Sequence, residues 1–337
     1  MSTTRPRRAA GASGERRAHE SDTRFLPEKA SWKKSLEDFG MRSVGRLAVG
    51  LNTVLGSRAA TRAGILMYHR VADHVPGLPA PLHNVRPRAF REQMQGLLSR
   101  GYEFWSLARL LEHRDQDGPI PGQVVVVTFD DGFQSVYTNA WPVLRKLEIP
   151  ATVFVNTAYL DDDRPFPFDA WGVACQDQAP PESYRPLTIE QCREMAESGL
   201  VAIGAHTHTH TDHRGRPDAF RDDVQRSVDL VGEWFDPEPL TFAFPYGGRH
   251  NGFAGDELAE AARATGVACG LTTECALVEP RDDPFRWGRF NVFAWDDSRT
   301  LTAKLAGWYD WAPRLRKRLS GHRPAPSPES SLAGDAA

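Results

Sequence analysis

The run Val124-Val125-Val126-Val127-Thr128-Phe129 leads directly into Asp130-Asp131-Gly132. Four consecutive valines are β-branched and apolar, so this segment reads as a strand buried on both faces, the kind found in parallel sheets. Such a strand should not end on two adjacent carboxylates unless they are paired, hydrogen-bonded or holding a metal. Gly132 lets the chain turn sharply away. In α/β folds, ligands and catalytic groups gather at strand C-termini. One acid holding a metal beside another taking a proton is what a metal-assisted hydrolase needs. Read alone, the tripeptide could equally be an Asp-Asp-Gly turn without chemistry, so the rest of the chain must decide.

Strand-like and helix-like segments alternate around this run. Short strands are expected at 65–68, 151–155, 201–204, 241–244, 267–271 and 290–293. Phe90, Met94, Leu97 and Leu98 recur at helical spacing, and that helix stops at Gly101. A helical stretch over 136–147 contains Pro142. Thr188-Ile189-Glu190-Gln191 fits a capping box for a helix closing at Gly199. Further helices are expected at 218–235, with Phe220, Val224, Val228 and Val231 on one face, at 257–265 and at 301–308. This alternation implies a parallel sheet, and about seven strands suggest barrel-like closure. Segment 161–186 shows no periodicity and is a functional-loop candidate. Its aromatic residues, Phe166, Phe168 and Trp171, could stack on sugar faces or form core.

Composition narrows the class. The 337 residues are 25% charged and 40% hydrophobic, as in a soluble globular protein. A net charge of −3 argues against nucleic acid as the main partner. Residues 1–62 hold 13 Lys/Arg against 6 Asp/Glu, making a basic, partly disordered N-terminal arm. The folded domain is expected over 63–312 and a disordered, Pro/Ser-rich tail over 313–337. No segment has the roughly 20 apolar residues needed to span a bilayer, and no secretory signal is evident. The stretch 47–55 is the best apolar run. Flanked by arginines, it either rests weakly on an anionic membrane surface or packs against its own domain, and packing is the favoured reading. Four cysteines without a C-x-x-C pair are incidental thiols. A cytoplasmic location is expected, with peripheral contact at the inner membrane face as the alternative.

Gly204-Ala205-His206-Thr207-His208-Thr209-His210 follows a short strand. On a helical turn His206 and His210 share a face and His208 points away, whereas on an extended chain all three share one. Two imidazoles and one carboxylate would leave metal positions open for water and substrate. A third strand runs into the turn Pro245-Tyr246-Gly247-Gly248.

Together these segments resemble the polysaccharide deacetylase family, carbohydrate esterase family 4, which shares the NodB-homology domain. Its motifs T-F-D-D-G, H-[ST]-x-x-H and R-x-P-Y are matched in order by Thr128–Gly132, His206–His210 and Ala243-Phe244-Pro245-Tyr246. The resemblance implies an α/β fold, a distorted (β/α)7 barrel related to TIM barrels. It implies a divalent metal, zinc first, held by Asp131, His206 and His210, with Asp130 as catalytic base. It also implies that the Tyr246 N–H helps hold the oxyanion. The activity implied is removal of N-acetyl groups from amino sugars of a polysaccharide or glycolipid.

Two departures from the family pattern matter. The Arg that opens the third motif is Ala243 here. Arg289, before a late strand, is the candidate to pair with Asp130, and Arg286 is the runner-up. The C-terminal L-x-H that supplies the general acid is missing. Leu319-Ser320-Gly321-His322 has the wrong spacing, whereas Ile65-Leu66-Met67-Tyr68-His69 has the form of that strand. First and last strands are neighbours in a closed barrel, so His69 is the general-acid candidate, as in the permuted exopolysaccharide deacetylases the chain resembles. The alternatives are a catalytically weak carbohydrate-binding relative, or a deformylase or amidase acting on a lipid-linked sugar.

Overall fold

The structure is a computed structural model describing residues 43, 45–52, 61–116, 120–279 and 281–308. The disorder expected in the N-terminal arm, the tail over 313–337 and His322 lie outside the described residues. Within the apolar stretch, residues 47–52 are helical, with Ala48 buried and Leu47 55% exposed, so one face of this helix is covered. No helix among the described residues is long and apolar enough to cross a membrane.

One parallel sheet organises the domain. Strand β1 (Ala63–Tyr68) pairs on one side with β5 (Val124–Phe129) and on the other with β10 (Phe290–Asn291). From β5 the sheet continues through β6 (Ala151–Val155), β7 (Val201–Ala205), β8 (Phe242–Ala243) and β9 (Gly270–Leu271). These make a path of seven strands. A short strand β4 (Glu103–Phe104) pairs beside β5, and β2 (Arg70–Val71) pairs with β3 (Asn84–Val85) separately. Segment 284–289 bridges the two ends of the path through main-chain bonds. Gly270 N–H donates to Pro284 O (3.2 Å), Thr272 N–H to Trp287 O (2.9 Å) and Arg289 N–H to Glu274 O (2.8 Å). The first strand therefore does lie beside the last.

β1 and β5 are buried along their whole length, as unbroken apolar strands covered on both faces must be. Their register sets Ile65 against Val126 and Met67 against Thr128. Side chains alternate along a strand, so Ile65 and Val126 share the inner face with Phe154, Leu271 and Trp287, all in one buried cluster. Polar residues continue the same alternation at the C-terminal end.

The helices follow their sequence signals closely. α1 (Pro87–Leu98) buries Phe90, Met94 and Leu97, and Gly101 has φ +79°. α2 (Leu107–Asp115), not among the helices expected from the sequence, is capped by the Ser106 side chain and buries Leu107, Leu110 and Leu111 at helical spacing. A π-helical turn, Val136–Ala140, leads into α3 (Trp141–Leu147). Pro142 is accommodated because it sits in the first turn, where no intrahelical donor is needed. The supposedly irregular 161–186 contains a short helix, α4 (Ala170–Cys175). The capping box of Thr188 and Gln191 opens α5 (Ile189–Glu197). α6 (Pro217–Phe235), α7 (Asp256–Arg263) and α8 (Ser298–Leu305) complete the described helices. β8, β9 and β10 are shorter than their apolar runs, although main-chain bonds such as Phe244 N–H to Leu271 O (3.0 Å) and Val292 N–H to Met67 O (3.0 Å) continue past their ends.

Candidate active site

The C-terminal ends of β1, β5 and β7 bring His69, Asp130, Asp131, His206 and His210 to one rim of the sheet. The Asp130 N–H donates to Tyr68 O (2.9 Å), so His69 lies at the same end as the two carboxylates. Asp130 continues the inward alternation of Val126 and Thr128. Asp131 would point the other way on a regular strand. It reaches the site because its backbone is left-handed (φ +70°), followed by Gly132 at +79°. Asp is among the few side chains that tolerate this conformation. The turn is what lets two neighbouring carboxylates face one pocket.

Arg289 holds Asp130 from below. Its Nη1 donates to Asp130 Oδ1 (2.5 Å) and its Nη2 to Oδ2 (2.7 Å), a two-pronged pair in which both residues are buried. The Arg289 Nε–H donates to Thr272 O (3.1 Å) and Nη1 also approaches Thr128 Oγ1 (3.3 Å). Burial alone would raise the Asp130 pKa, but the Arg289 and His206 charges and the Arg289 bonds hold it below the usual carboxylate range. Arg286 lies on the surface, bonded to Asp256 (3.0 Å). Ala243, at the position of the missing motif Arg, is buried and presents only its carbonyl to the site.

Asp131, His206 and His210 each offer one ligand atom, and the three atoms lie within 4.8 Å of one another. Both His Nε2 atoms are 3.5 Å from Asp131 Oδ1. Donors held about 2.1 Å from one tetrahedral ion are separated by about 3.4 Å, so the spacing suits a zinc-like cation. The His206 Nδ1–H donates to Ala243 O (2.8 Å), leaving the Nε2 lone pair toward Asp131. That carbonyl partner is an arrangement typical of metal-bound imidazole. These residues fit a divalent cation. Burial would raise the Asp131 pKa, but the surrounding imidazoles of His206, His69 and His210 hold it far down.

The segment 206–210 is neither a regular helical turn nor extended. Thr207 and His210 are both left-handed, with φ +64° and +56°, and the Thr207 hydroxyl accepts the His210 N–H (3.0 Å). His208 faces away from the cluster. Arg226 Nε–H donates to its Nε2 (3.1 Å), and its Nδ1 bonds Thr157 Oγ1 (2.9 Å). Asp223 on α6 accepts the main-chain N–H groups of His208 (3.1 Å) and Thr209 (3.2 Å). No local sequence signal marks Asp223, because it lies 13 residues beyond the histidines on a helix.

His69 stacks on His83, ring centroids 4.7 Å apart. Burial pushes its pKa down to about 4, although the charges of Asp131 and Asp130 pull upward. Tyr246 is left-handed (φ +60°), and its ring meets the edge of His210 at 4.7 Å. Of the aromatic residues of 161–186, Phe166 is core at 1% exposed, whereas Phe168 and Trp171 are half-buried, Trp171 against the buried Arg70.

Comparison with known proteins agrees with this geometry. The family model described as polysaccharide deacetylase matches residues 117–269. The poly-beta-1,6-N-acetyl-D-glucosamine N-deacetylase of Staphylococcus epidermidis is 27% identical over 219 residues, covering 62% of this chain and 68% of that protein. The Escherichia coli K12 protein of the same name is 30% identical over 221 residues, which is 57% of this chain but only 32% of that protein. Among solved structures, IcaB from Ammonifex degensii is 27% identical with a TM-score of 0.58, covering 73% of this chain and 97% of its own. A de-N-acetylase from Aggregatibacter actinomycetemcomitans, 20% identical with a TM-score of 0.61, shares the fold over 72% of this chain and 100% of its own. Residues 117–269 of the chain are therefore similar to the polysaccharide deacetylase family, and the likeness to named N-deacetylases supports a hydrolase acting on carbon–nitrogen bonds other than peptide bonds.

Proposed function

We propose that this protein is a metal-dependent N-deacetylase acting on N-acetylated amino sugars of a polysaccharide or glycolipid. The names of its relatives make poly-β-1,6-N-acetylglucosamine the first substrate to try. The observation that carries this reading is the pairing of two sites at one strand end. Three donor atoms converge at Asp131, His206 and His210, beside an Asp130 carboxylate gripped by Arg289. One group can bind a cation and the other can accept a proton.

A divalent cation held there, zinc first, would supply Lewis-acid polarisation of the acetamide carbonyl and would acidify water. Asp130 takes the proton of the attacking water, and Arg289 keeps both carboxylate oxygens oriented for that transfer. The Tyr246 main-chain N–H is the proposed donor to the developing oxyanion. His69 supplies a proton to the sugar nitrogen as the C–N bond breaks, since an amide anion is a very poor leaving group. At neutral pH its imidazole starts uncharged. It therefore takes up the proton that Asp130 removed from the water, and an imidazolium of such low pKa releases it readily to the nitrogen, so that Asp130 ends as the carboxylate it began as. The products are acetate and the free amine.

Metal content and acetate release from N-acetylglucosamine oligomers test the reading together. Asp130→Asn is expected to keep its metal and lose about 10²–10⁴-fold in turnover. His206→Ala is expected to lose the metal, while His208→Ala keeps it. Release of formate from a formylated sugar, without acetate from any N-acetylated one, would move the assignment to a deformylase. Equal metal loss in Asp130→Asn and His206→Ala would refute the division of roles.

A further inference from the structure

The two imidazoles facing Asp131 are held in different ways. His206 is oriented by a hydrogen bond, from its Nδ1 to the Ala243 carbonyl (2.8 Å). His210 has no such bond. Its Nε2 is 3.5 Å from Asp131 Oδ1, but its Nδ1 is buried without a hydrogen-bond partner among the described residues. An imidazole ligand ordinarily donates from its second nitrogen, and that bond fixes the ring plane and the tautomer. Something else must keep the His210 ring from turning about Cβ–Cγ.

The ring is held by aromatic contact. Phe168 stacks on it with centroids 3.9 Å apart and planes 20° from parallel, and Tyr246 meets it edge-on. Tyr246 is 47% exposed, so Phe168 is the firmer support. Phe168 also stacks on the buried Phe166 (5.0 Å, 27°) and meets Tyr159 edge-on (6.0 Å). Its half-buried ring is thus engaged in packing against three aromatic neighbours.

The position of Phe168 is set in turn by a buried charge. Arg70, 2% exposed, bonds the carboxylate of Asp169, the residue after Phe168, and the carbonyl of Ser183. Its guanidinium lies over the rings of Phe133 (4.2 Å) and Trp171 (4.9 Å). A buried cation is costly unless its partners are held in good geometry, and removing either partner is strongly destabilising locally. The pair therefore pins segment 161–186 to the strand that follows His69.

We propose that Phe168 is the positioning residue for His210, doing by ring stacking what the Ala243 carbonyl does for His206. The Arg70–Asp169 pair sets where Phe168 sits. This inference rests on the reading of His210 as a metal ligand.

Titration of Co2+ alone into the metal-free full chain tests it. The measurement gives affinity and the visible absorption of the bound ion, a signature of ligand arrangement that overall stability does not move. Phe168→Leu is expected to weaken binding roughly 10-fold, as loss of an orienting partner does, and to alter the absorption. Phe168→Tyr, which keeps the ring, should restore both. Asp169→Asn, which leaves every aromatic ring in place, should weaken binding in the same direction and serves if Phe168→Leu fails to fold. Wild-type affinity and an unchanged spectrum in both Phe168→Leu and Asp169→Asn would overturn the inference while leaving the ligand reading intact. A wild-type chain that takes up no Co2+ would remove the ligand reading, and this inference with it.

Discussion

Asp130 and Asp131 are chemically identical neighbours given opposite surroundings. The first meets a planar guanidinium that matches both of its oxygens, and the second meets two imidazoles that each present one nitrogen. Geometry more than charge distinguishes the Arg289 contact, because only a fork can engage both oxygens at once. Arg289→Lys keeps the positive charge and loses that fork. Turnover is expected to fall by about 10²-fold, the scale of a small misplacement of a reacting group, with metal content unchanged. Steady-state kinetics beside metal analysis would check it, and wild-type turnover in Arg289→Lys would show that orientation of Asp130 is unimportant.

At the scale of elements, Arg289 depends on how the sheet is bridged between β9 and β10. Segment 284–289 approaches the chain after β9 so closely that a Cβ on Gly288 would sit 2.2 Å from the Glu274 carbonyl and 3.1 Å from Ala276 Cβ. The first of these is main chain, which cannot rotate aside. Gly288→Ala is expected to cost about 1–3 kcal/mol, as overpacking does, and to lower activity by shifting Arg289. Gly232→Ala is the control. It lies on α6 with nothing within 4 Å and should be neutral or stabilising by about 0.4–1 kcal/mol. Urea unfolding of both variants would decide the matter, and equal midpoints would mean the bridge tolerates a methyl group.

For the whole molecule, the rim of buried titratable groups links stability to pH. Burial holds His69 and His210 down to about 4 in the folded protein. Below about pH 6.5 the unfolded chain takes up protons that these folded imidazoles refuse, so stability of the metal-free protein should fall as pH drops from about 6.5 to 4. Asp130, held low in the folded state, adds stability above its unfolded pKa that is lost as pH falls further through its folded value. Urea midpoints from pH 7.5 to 4.5 should therefore decline, and less steeply in His69→Asn; a flat profile would contradict the assignment. Much of this architecture was legible in the chain itself. Four valines require a strand covered on both faces, the Thr188 capping box marks a helix start, and the spacing of apolar residues sets the face of α6. These are local consequences of side-chain shape and backbone preference, and so were the carboxylate and histidine clusters as candidates. Which groups meet was not local. The Ala243 carbonyl behind His206, Phe168 on His210 and the Arg70–Asp169 pair join residues tens of positions apart. Tertiary structure decided those contacts, and the pairing of β1 beside β10 brings Arg289 under Asp130, because such meetings depend on strand order and register, not on any stretch of sequence.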